Sequence, residues 1–277
     1  MAVDRKVEEM SEVQKVHANA HRNPAAPVVD ERSSILTEPV SVLMPVYNEE
    51  DIIEKVVEEW HEEVFAFLPE GSELLFDDAS NDATTNILET LSKRYPYIRV
   101  NHSPRDGFGN AAKRLYAKAE NPLVFFTDSD GQYVPTDFWR IAKAIGSSDA
   151  DGYDMLNGYK VNRKHPYYQI AGSALFNGFV RMLFSSNGKD INSAFKLVRR
   201  SLIEDQISKL RYVPTFINSE LYIRAEKSGF RVQDIPVNHR ARCFGESKAS
   251  TPIAYIKTGL ETVYGMLILR RNIRQRW

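Results

Sequence analysis

Leu123-Val124-Phe125-Phe126-Thr127-Asp128-Ser129-Asp130-Gly131-Gln132-Tyr133 is the stretch whose reading decides the fold. A short, wholly apolar run ends in two carboxylates one residue apart. Such a run, bounded by turn residues, reads as a strand buried on both faces. Asp128 and Asp130 then stand at its carboxyl end, on the rim of a sheet, where open α/β sheets bind ligands. Two carboxylates this close repel each other unless a cation shares them. Hard divalent ions take oxygen ligands and commonly combine one or two carboxylates with substrate phosphates. The pair therefore reads as a metal–diphosphate site. Alone, an Asp-x-Asp is better explained as an Asx-rich turn capping the next helix, so the decision rests on the flanking chain.

Working back toward the N-terminus, the pattern repeats. Val40-Ser41-Val42-Leu43-Met44-Pro45-Val46 reads as a first strand, ending near Pro45 because proline breaks a central ladder. The polar, acidic Tyr47-Asn48-Glu49-Glu50-Asp51 suits a helix start, and Ile52, Ile53, Val56, Val57, Trp60 and Val64 follow at helical spacing. Pro69-Glu70-Gly71 stops that helix. Glu73-Leu74-Leu75-Phe76 is a second strand running into Asp77-Asp78-Ala79-Ser80-Asn81-Asp82. A helix with Ile87, Leu88, Leu91 and Tyr95 follows, then a third strand, Tyr97-Ile98-Arg99-Val100, a glycine-containing loop and a helix from Ala111.

The order up to Phe126 is βαβαβαβ, which implies parallel pairing and right-handed crossovers in an α/β domain. Three polar segments, Pro45–Glu49, Asp77–Asp82 and Asp128–Asp130, then gather on one edge. Their convergence makes the carboxylates a set rather than isolated turns.

The bulk numbers are consistent with this reading. With 277 residues the chain can bury a substantial core. A net charge of -1 gives no global electrostatic case for nucleic acid. Cys243 is the one cysteine, which rules out intramolecular disulfides and cysteine-based metal sites and fits a reducing compartment. The opening MAVDRKVEEM is charged and lacks the apolar core of a secretory signal. No run reaches the roughly 18–20 apolar residues that span a bilayer. A cytoplasmic protein is expected.

Pro45-Val46-Tyr47-Asn48-Glu49, then Asp77-Asp78-x-Ser80-x-Asp82-x-Thr84, then Asp128-x-Asp130, resemble the nucleotide-sugar domain of family 2 glycosyltransferases, the GT-A fold. The later half resembles the dolichol-phosphate mannose synthase branch and its polyprenyl-phosphate glycosyltransferase relatives. The residues that carry this are Asp128-Ser129-Asp130-Gly131-Gln132, Asp190-Ile191-Asn192-Ser193-Ala194-Phe195-Lys196, Glu220-Leu221, Gly229-Phe230-Arg231-Val232, Ile235-Pro236-Val237 and Arg242-x-x-Gly245-x-Ser247-Lys248. The chain has Ala194 and Lys196 where that branch usually has Gly and Arg, and Phe108 where many relatives carry a lysine.

The resemblance implies a Rossmann-like domain over 40–248 with a mixed, mainly parallel sheet, preceded by a polar tail over 1–39. It implies metal-dependent, inverting transfer of a sugar from a UDP- or GDP-linked donor to a polyprenyl phosphate. Asp130 is the first candidate to ligate Mg²⁺ or Mn²⁺, with Asp128 as a second ligand or a partner of the ribose. Pro45, Tyr47 and Glu49 would line the nucleotide pocket, and Asp77 or Asp78 would accept hydrogen bonds from base or ribose. Asp190 and Glu220 are the carboxylates placed beside the sugar. A lipid phosphate is already an oxyanion and needs cationic neighbours rather than a base. Arg242, Ser247 and Lys248 form such a set, which Arg163, Lys164 and His165 would supplement. A hydroxyl acceptor would instead need one of the carboxylates as base. A non-catalytic nucleotide-sugar-binding subunit is the third reading, and the intact Asp128/Asp130 pair argues against it.

Two segments bear on partners. Tyr167–Phe184 is rich in apolar residues and reads as a core helix, or as a lipid-facing groove. Residues 249–277 read as an amphipathic helix with a basic, aromatic end, Arg270 to Trp277. Such a helix suits peripheral contact with the cytoplasmic face of a membrane. It equally suits docking on the domain's own core or on a second copy in a homo-oligomer.

Overall fold

The computed structural model describes residues 30–145, 152–162, 167–242 and 252–274. Arg163, Lys164, His165, Ser247 and Lys248 lie outside the described residues, as does most of the tail expected over 1–39. The compact unit described below is Arg32–Trp277.

Among the described residues the sheet has seven strands: β1 (Val40–Val46), β2 (Glu73–Asp78), β3 (Ile98–His102), β4 (Leu123–Phe126), β5 (Met155–Val161), β6 (Lys196–Arg199) and β7 (Val232–Asn238). Their order across the sheet is β3-β2-β1-β4-β6-β5-β7. The ladders β1–β2, β1–β4, β2–β3 and β5–β7 are parallel, while β6 runs antiparallel to β4 and β5. The sheet is mixed and mainly parallel, as the alternation of strands and helices requires.

The helices are α1 (Ile53–Glu63), α2 (Thr84–Arg94), α3 (Phe108–Lys118), α4 (Asp137–Ala142), α5 (Tyr167–Phe184), α6 (Arg200–Gln206), α7 (Ile217–Lys227) and α8 (Pro252–Arg274). β4 is buried on both faces because successive side chains alternate. Phe125 packs on Trp60 of α1 at 5.6 Å and Phe138 of α4 at 4.9 Å between ring centroids. Its neighbour Phe126 packs on Tyr116 of α3 at 5.3 Å on the opposite face.

Two sequence expectations are corrected. β1 runs one residue past Pro45. Leu43 offers its carbonyl to Thr127 on the β4 side, and strand alternation turns Pro45 to the same side. The β1–β4 register stops at Leu43 and Phe126, so the missing N–H of Pro45 faces a ladder that has already ended. The second correction concerns the tail. Leu36 is buried in the core and the Arg32 guanidinium lies 3.6 Å from the centre of the Phe67 ring, so residues 32–39 belong to the packed body.

Candidate functional site

The order β3-β2-β1-β4 places a topological switch between β1 and β4, and the crevice at such a point opens beyond the carboxyl ends of the strands. A cleft of about 360 Å³ lies there. Pro45 enters it from the end of β1, Tyr47 and Glu49 just after that strand, Asp77 from the end of β2, and Asp128 and Asp130 after β4. The segment Pro104–Phe108, leading into α3, forms its far wall.

Local geometry sets each wall. Asn48 takes a left-handed φ of 52°, which a short polar side chain tolerates. Its side chain donates to Asn81 Oδ1 at 2.6 Å and accepts from the Asn81 N–H at 2.9 Å, tying the loop after β1 to the loop after β2. The Glu49 N–H donates to Thr84 Oγ1 at 2.9 Å. The Arg105 guanidinium stands 4.2 Å from the centre of the Tyr47 ring, inside the range of a cation–π contact.

Asp77 and Asp78 are adjacent on β2 and therefore face opposite ways. Asp77 lines the cleft and accepts from Asn101 Nδ2 at 2.7 Å, Ser103 Oγ at 2.8 Å and Arg114 Nη2 at 2.8 Å. Arg114 also reaches Asp106 at 2.7 Å. The hydrogen bonds it donates to these two carboxylates hold its guanidinium firmly charged. Asp78 accepts from the Ser80 N–H at 3.0 Å and from Thr85 Oγ1 at 2.6 Å. Of the two carboxylates expected at the nucleotide, Asp77 is turned to the cleft and Asp78 braces the loop to α2.

Asp128 and Asp130 share the cleft floor. Burial, then the neighbouring Asp130 charge, push the Asp128 carboxyl up to about 7. The charges of Lys160 and Arg242 oppose that rise. Burial alone would make the Lys160 ammonium less basic, but the Tyr133 oxygen, Asp190 and Asp128 around it outweigh this and raise its pKa. Asp190 thus joins the site through Lys160, whose own N–H reaches Asp190 Oδ2 at 3.5 Å. Arg242 forks onto Glu49, with Nη2 at 2.6 Å and 2.8 Å from the two carboxylate oxygens, and its Nη1 stands 3.7 Å from Asp130 Oδ2.

Glu220 departs from its expected place beside the sugar. It is fully buried, and Oε2 accepts the N–H groups of Tyr212 at 2.8 Å and Val213 at 2.9 Å. Oε1 takes Arg224 Nε at 2.9 Å. A carboxylate so completely engaged holds the 211–213 turn and presents no free oxygen to the cleft. That turn carries a further contact. A Cβ on Gly265 of α8 would lie 2.2 Å from the Tyr212 carbonyl oxygen, so glycine is what lets α8 seat there.

Sequence reading missed Lys160 and Arg114. Lys160 sits toward the end of β5 and Arg114 in mid-helix, and neither position carries a local motif. Only the sheet order brings them to the carboxylates.

Among the described residues no three His, Cys, Asp or Glu side chains form a closed metal cage. The donor set is nonetheless of the kind a hard cation takes. Asp128 and Asp130 offer oxygen ligands, burial and then the Asp130 charge raise the pKa of Asp128, and the cleft leaves room for ligands from a bound molecule.

Comparison with known proteins agrees with the fold. A profile for glycosyl transferase family 2 matches residues 41–206, more than half of the chain. Over 206 residues the chain is 29% identical to glycosyltransferase AglD of Haloferax volcanii, covering 72% of this chain and 32% of that protein. It is 25% identical over 214 residues to the undecaprenyl-phosphate 4-deoxy-4-formamido-L-arabinose transferase of Edwardsiella ictaluri, covering 76% of this chain and 62% of that one. The chain thus spans only part of these curated relatives. Among solved structures, glucosyl-3-phosphoglycerate synthase from Mycobacterium tuberculosis, in complex with Mn²⁺, UDP and phosphoglyceric acid, superposes with a TM-score of 0.65. The identity is 18% and the cover 87% and 81% of the two chains. Mannosyltransferase PcManGT from Pyrobaculum calidifontis, with GDP-Man and Mn²⁺, gives 0.58 at 18% identity, with cover of 81% and 63%. At these identities the structural likeness speaks for the fold. Sequence profile, sheet order and cleft together place the chain in glycosyl transferase family 2.

Proposed function

We propose that this chain transfers a sugar from a UDP- or GDP-linked donor to a polyprenyl phosphate, with inversion at the anomeric carbon. The observation that carries the reading is the meeting of Asp77, Asp128 and Asp130, from two separate strand ends, with Arg242 at one cleft. The undecaprenyl-phosphate relative supports the acceptor class.

In this reading Pro45, Tyr47 and Asp77 receive the nucleoside, and Glu49 steers Arg242. Asp128 and Asp130 would hold Mg²⁺ or Mn²⁺. A divalent ion there would supply charge neutralisation for the departing nucleoside diphosphate. An acceptor phosphate oxygen forms the new bond to the anomeric carbon as the bond to the diphosphate oxygen breaks. The acceptor is an oxyanion at neutral pH, so no proton has to be removed. Arg242 would orient it as a guanidinium fork, with Ser247 and Lys248 completing the receptor. Lys160 holds Asp128 and Asp190 in a fixed charge arrangement beside the reacting sugar.

A hydroxyl acceptor is the second reading, because Asp190 stands near Asp128 through Lys160. Asp190 would then be the base. Supplying labelled nucleotide sugars with Mn²⁺ and polyprenyl phosphate separates the two. Label entering an organic-extractable product supports the first reading. Label moving to water-soluble hydroxyl acceptors alone would overturn it in favour of the second.

A further inference from the structure

Among the described residues, Phe108, Leu175, Met182, Leu260, Tyr264 and Leu267 are the large apolar side chains left exposed. Phe108 lines the cleft. The other five sit on two helices that touch each other, α5 and α8. Leu175 and Met182 are 77% and 76% exposed, while Leu260 and Tyr264 are 67% and 68% exposed. Their spacing is regular: seven residues apart on α5, and at i, i+4 and i+7 on α8. Each set therefore forms one stripe along its helix.

The core does not need these stripes. α8 seats itself through Thr262, Met266 and Leu269, all buried, and α5 through Val180, Leu183 and Phe184. Both helices are thus apolar on the inward and the outward face. The polar outer surface expected of an ordinary surface helix is absent along these stripes.

Charge decides what fits them. The sequences of α5 and α8 contain Arg181, Lys257, Arg270, Arg271 and Arg274 against a single acid, Glu261. The chain as a whole carries a net charge of -1, so this is a local concentration of positive charge. A second copy of the chain would set the same arginines against one another across a two-fold axis. Among the described residues no helix is long and apolar enough to cross a membrane, so these helices would have to lie along a surface.

We propose that the outward faces of α5 and α8 form a docking surface for a bilayer containing anionic lipid. Leu175, Met182, Leu260, Tyr264 and Leu267 enter the acyl boundary, and Arg270 and Arg271 meet the lipid phosphates. This goes beyond the transfer reaction, because the surface lies outside the cleft and its occupancy needs no turnover.

The test is co-sedimentation of the full chain with phosphatidylcholine vesicles, with and without a quarter phosphatidylglycerol, alongside light scattering for self-association. The expected result is binding to the anionic vesicles that weakens with salt and is far weaker on phosphatidylcholine alone. Leu260→Gln with Leu267→Gln should reduce that binding about tenfold or more. Leu175→Gln with Met182→Gln should do the same from the other helix, which guards against one variant failing to fold. Arg270→Gln and Arg271→Gln should each cost about fivefold. Donor binding should be unchanged in all of them. Absence of vesicle binding by the unaltered chain would overturn the proposal. So would a stable dimer that the same apolar substitutions dissociate while vesicle binding is nil.

Discussion

Arg242 and Glu49 are locked as a fork: one guanidinium nitrogen lies 2.6 Å and 2.8 Å from the two carboxylate oxygens. Glu49 follows the interior strand β1, and Arg242 follows the edge strand β7, so the pair ties the cleft to a distant part of the sheet. It also brings a positive charge to within 3.7 Å of Asp130.

This pairing makes Arg242 a pre-aimed cation rather than a loose surface arginine. Arg242→Ala should raise the acceptor KM about tenfold or more, the scale of a charge-assisted hydrogen bond, with a smaller change for the donor. Steady-state kinetics with each substrate varied in turn measures both. Equal rises in the two KM values would contradict the assignment of Arg242 to the acceptor phosphate.

Much of this was legible in the chain because one-dimensional signals govern it. The apolar run Leu123–Phe126 forms the strand as read, and its two phenylalanines face opposite layers, as alternation demands. The carboxylates at strand ends follow directly from topology. What the sequence hid depends on side-chain direction. Asp77 and Asp78 look alike in the chain, but a period of two sends one to the cleft and the other to Thr85. The bonding of Glu220 is hidden in the chain because its partners, the N–H groups of residues 211–213, carry no sequence signature. Lys160 and Arg114 were missed for the same reason: their significance comes from neighbours distant in the chain.

Glu220 therefore yields a stability prediction. Glu220→Gln leaves Arg224 buried without its carboxylate and should cost about 3–5 kcal/mol, the scale of a broken buried ion pair. Denaturant unfolding measures the loss, and the molecules still folded should keep most of their turnover. An unchanged unfolding midpoint with abolished turnover would restore Glu220 to the chemistry.

Asp128 predicts a pH dependence. Burial and the Asp130 charge put its folded pKa at about 7, above the unfolded value of about 3.9. The folded chain thus binds the extra proton between those values. This contribution to stability is full below the unfolded pKa and is lost as pH rises through about 7. A divalent cation competes with that proton. The rise in melting temperature on adding Mn²⁺ should therefore be larger at about pH 8 than at about pH 6. Asp128→Asn should remove the difference, and an equal Mn²⁺ effect at both pH values in the unaltered chain would contradict the reading.

Lys196, fully buried, donates to Asn157 Oδ1 and to the Ile191 carbonyl at 3.2 Å. Burial pulls its ammonium down to about 7, against the opposing pull of Asp190 and Asp234. An unfolded lysine titrates near about 10.4, so between these values the unfolded chain binds more protons and stability rises with pH. Lys196→Met should flatten that rise in a melting series from neutral to alkaline pH. A slope unchanged by the substitution would show that Lys196 is not its source.

Transfer at this cleft requires acidic side chains from separate strand ends to share a cation with the donor diphosphate. Calorimetric titration of UDP and GDP, with and without Mn²⁺, into the unaltered chain and Asp130→Asn tests this most directly. One nucleotide should bind in a Mn²⁺-dependent way, and Asp130→Asn should abolish the Mn²⁺ enhancement. Binding of equal strength without any divalent cation, or an enhancement undiminished in Asp130→Asn, would contradict it.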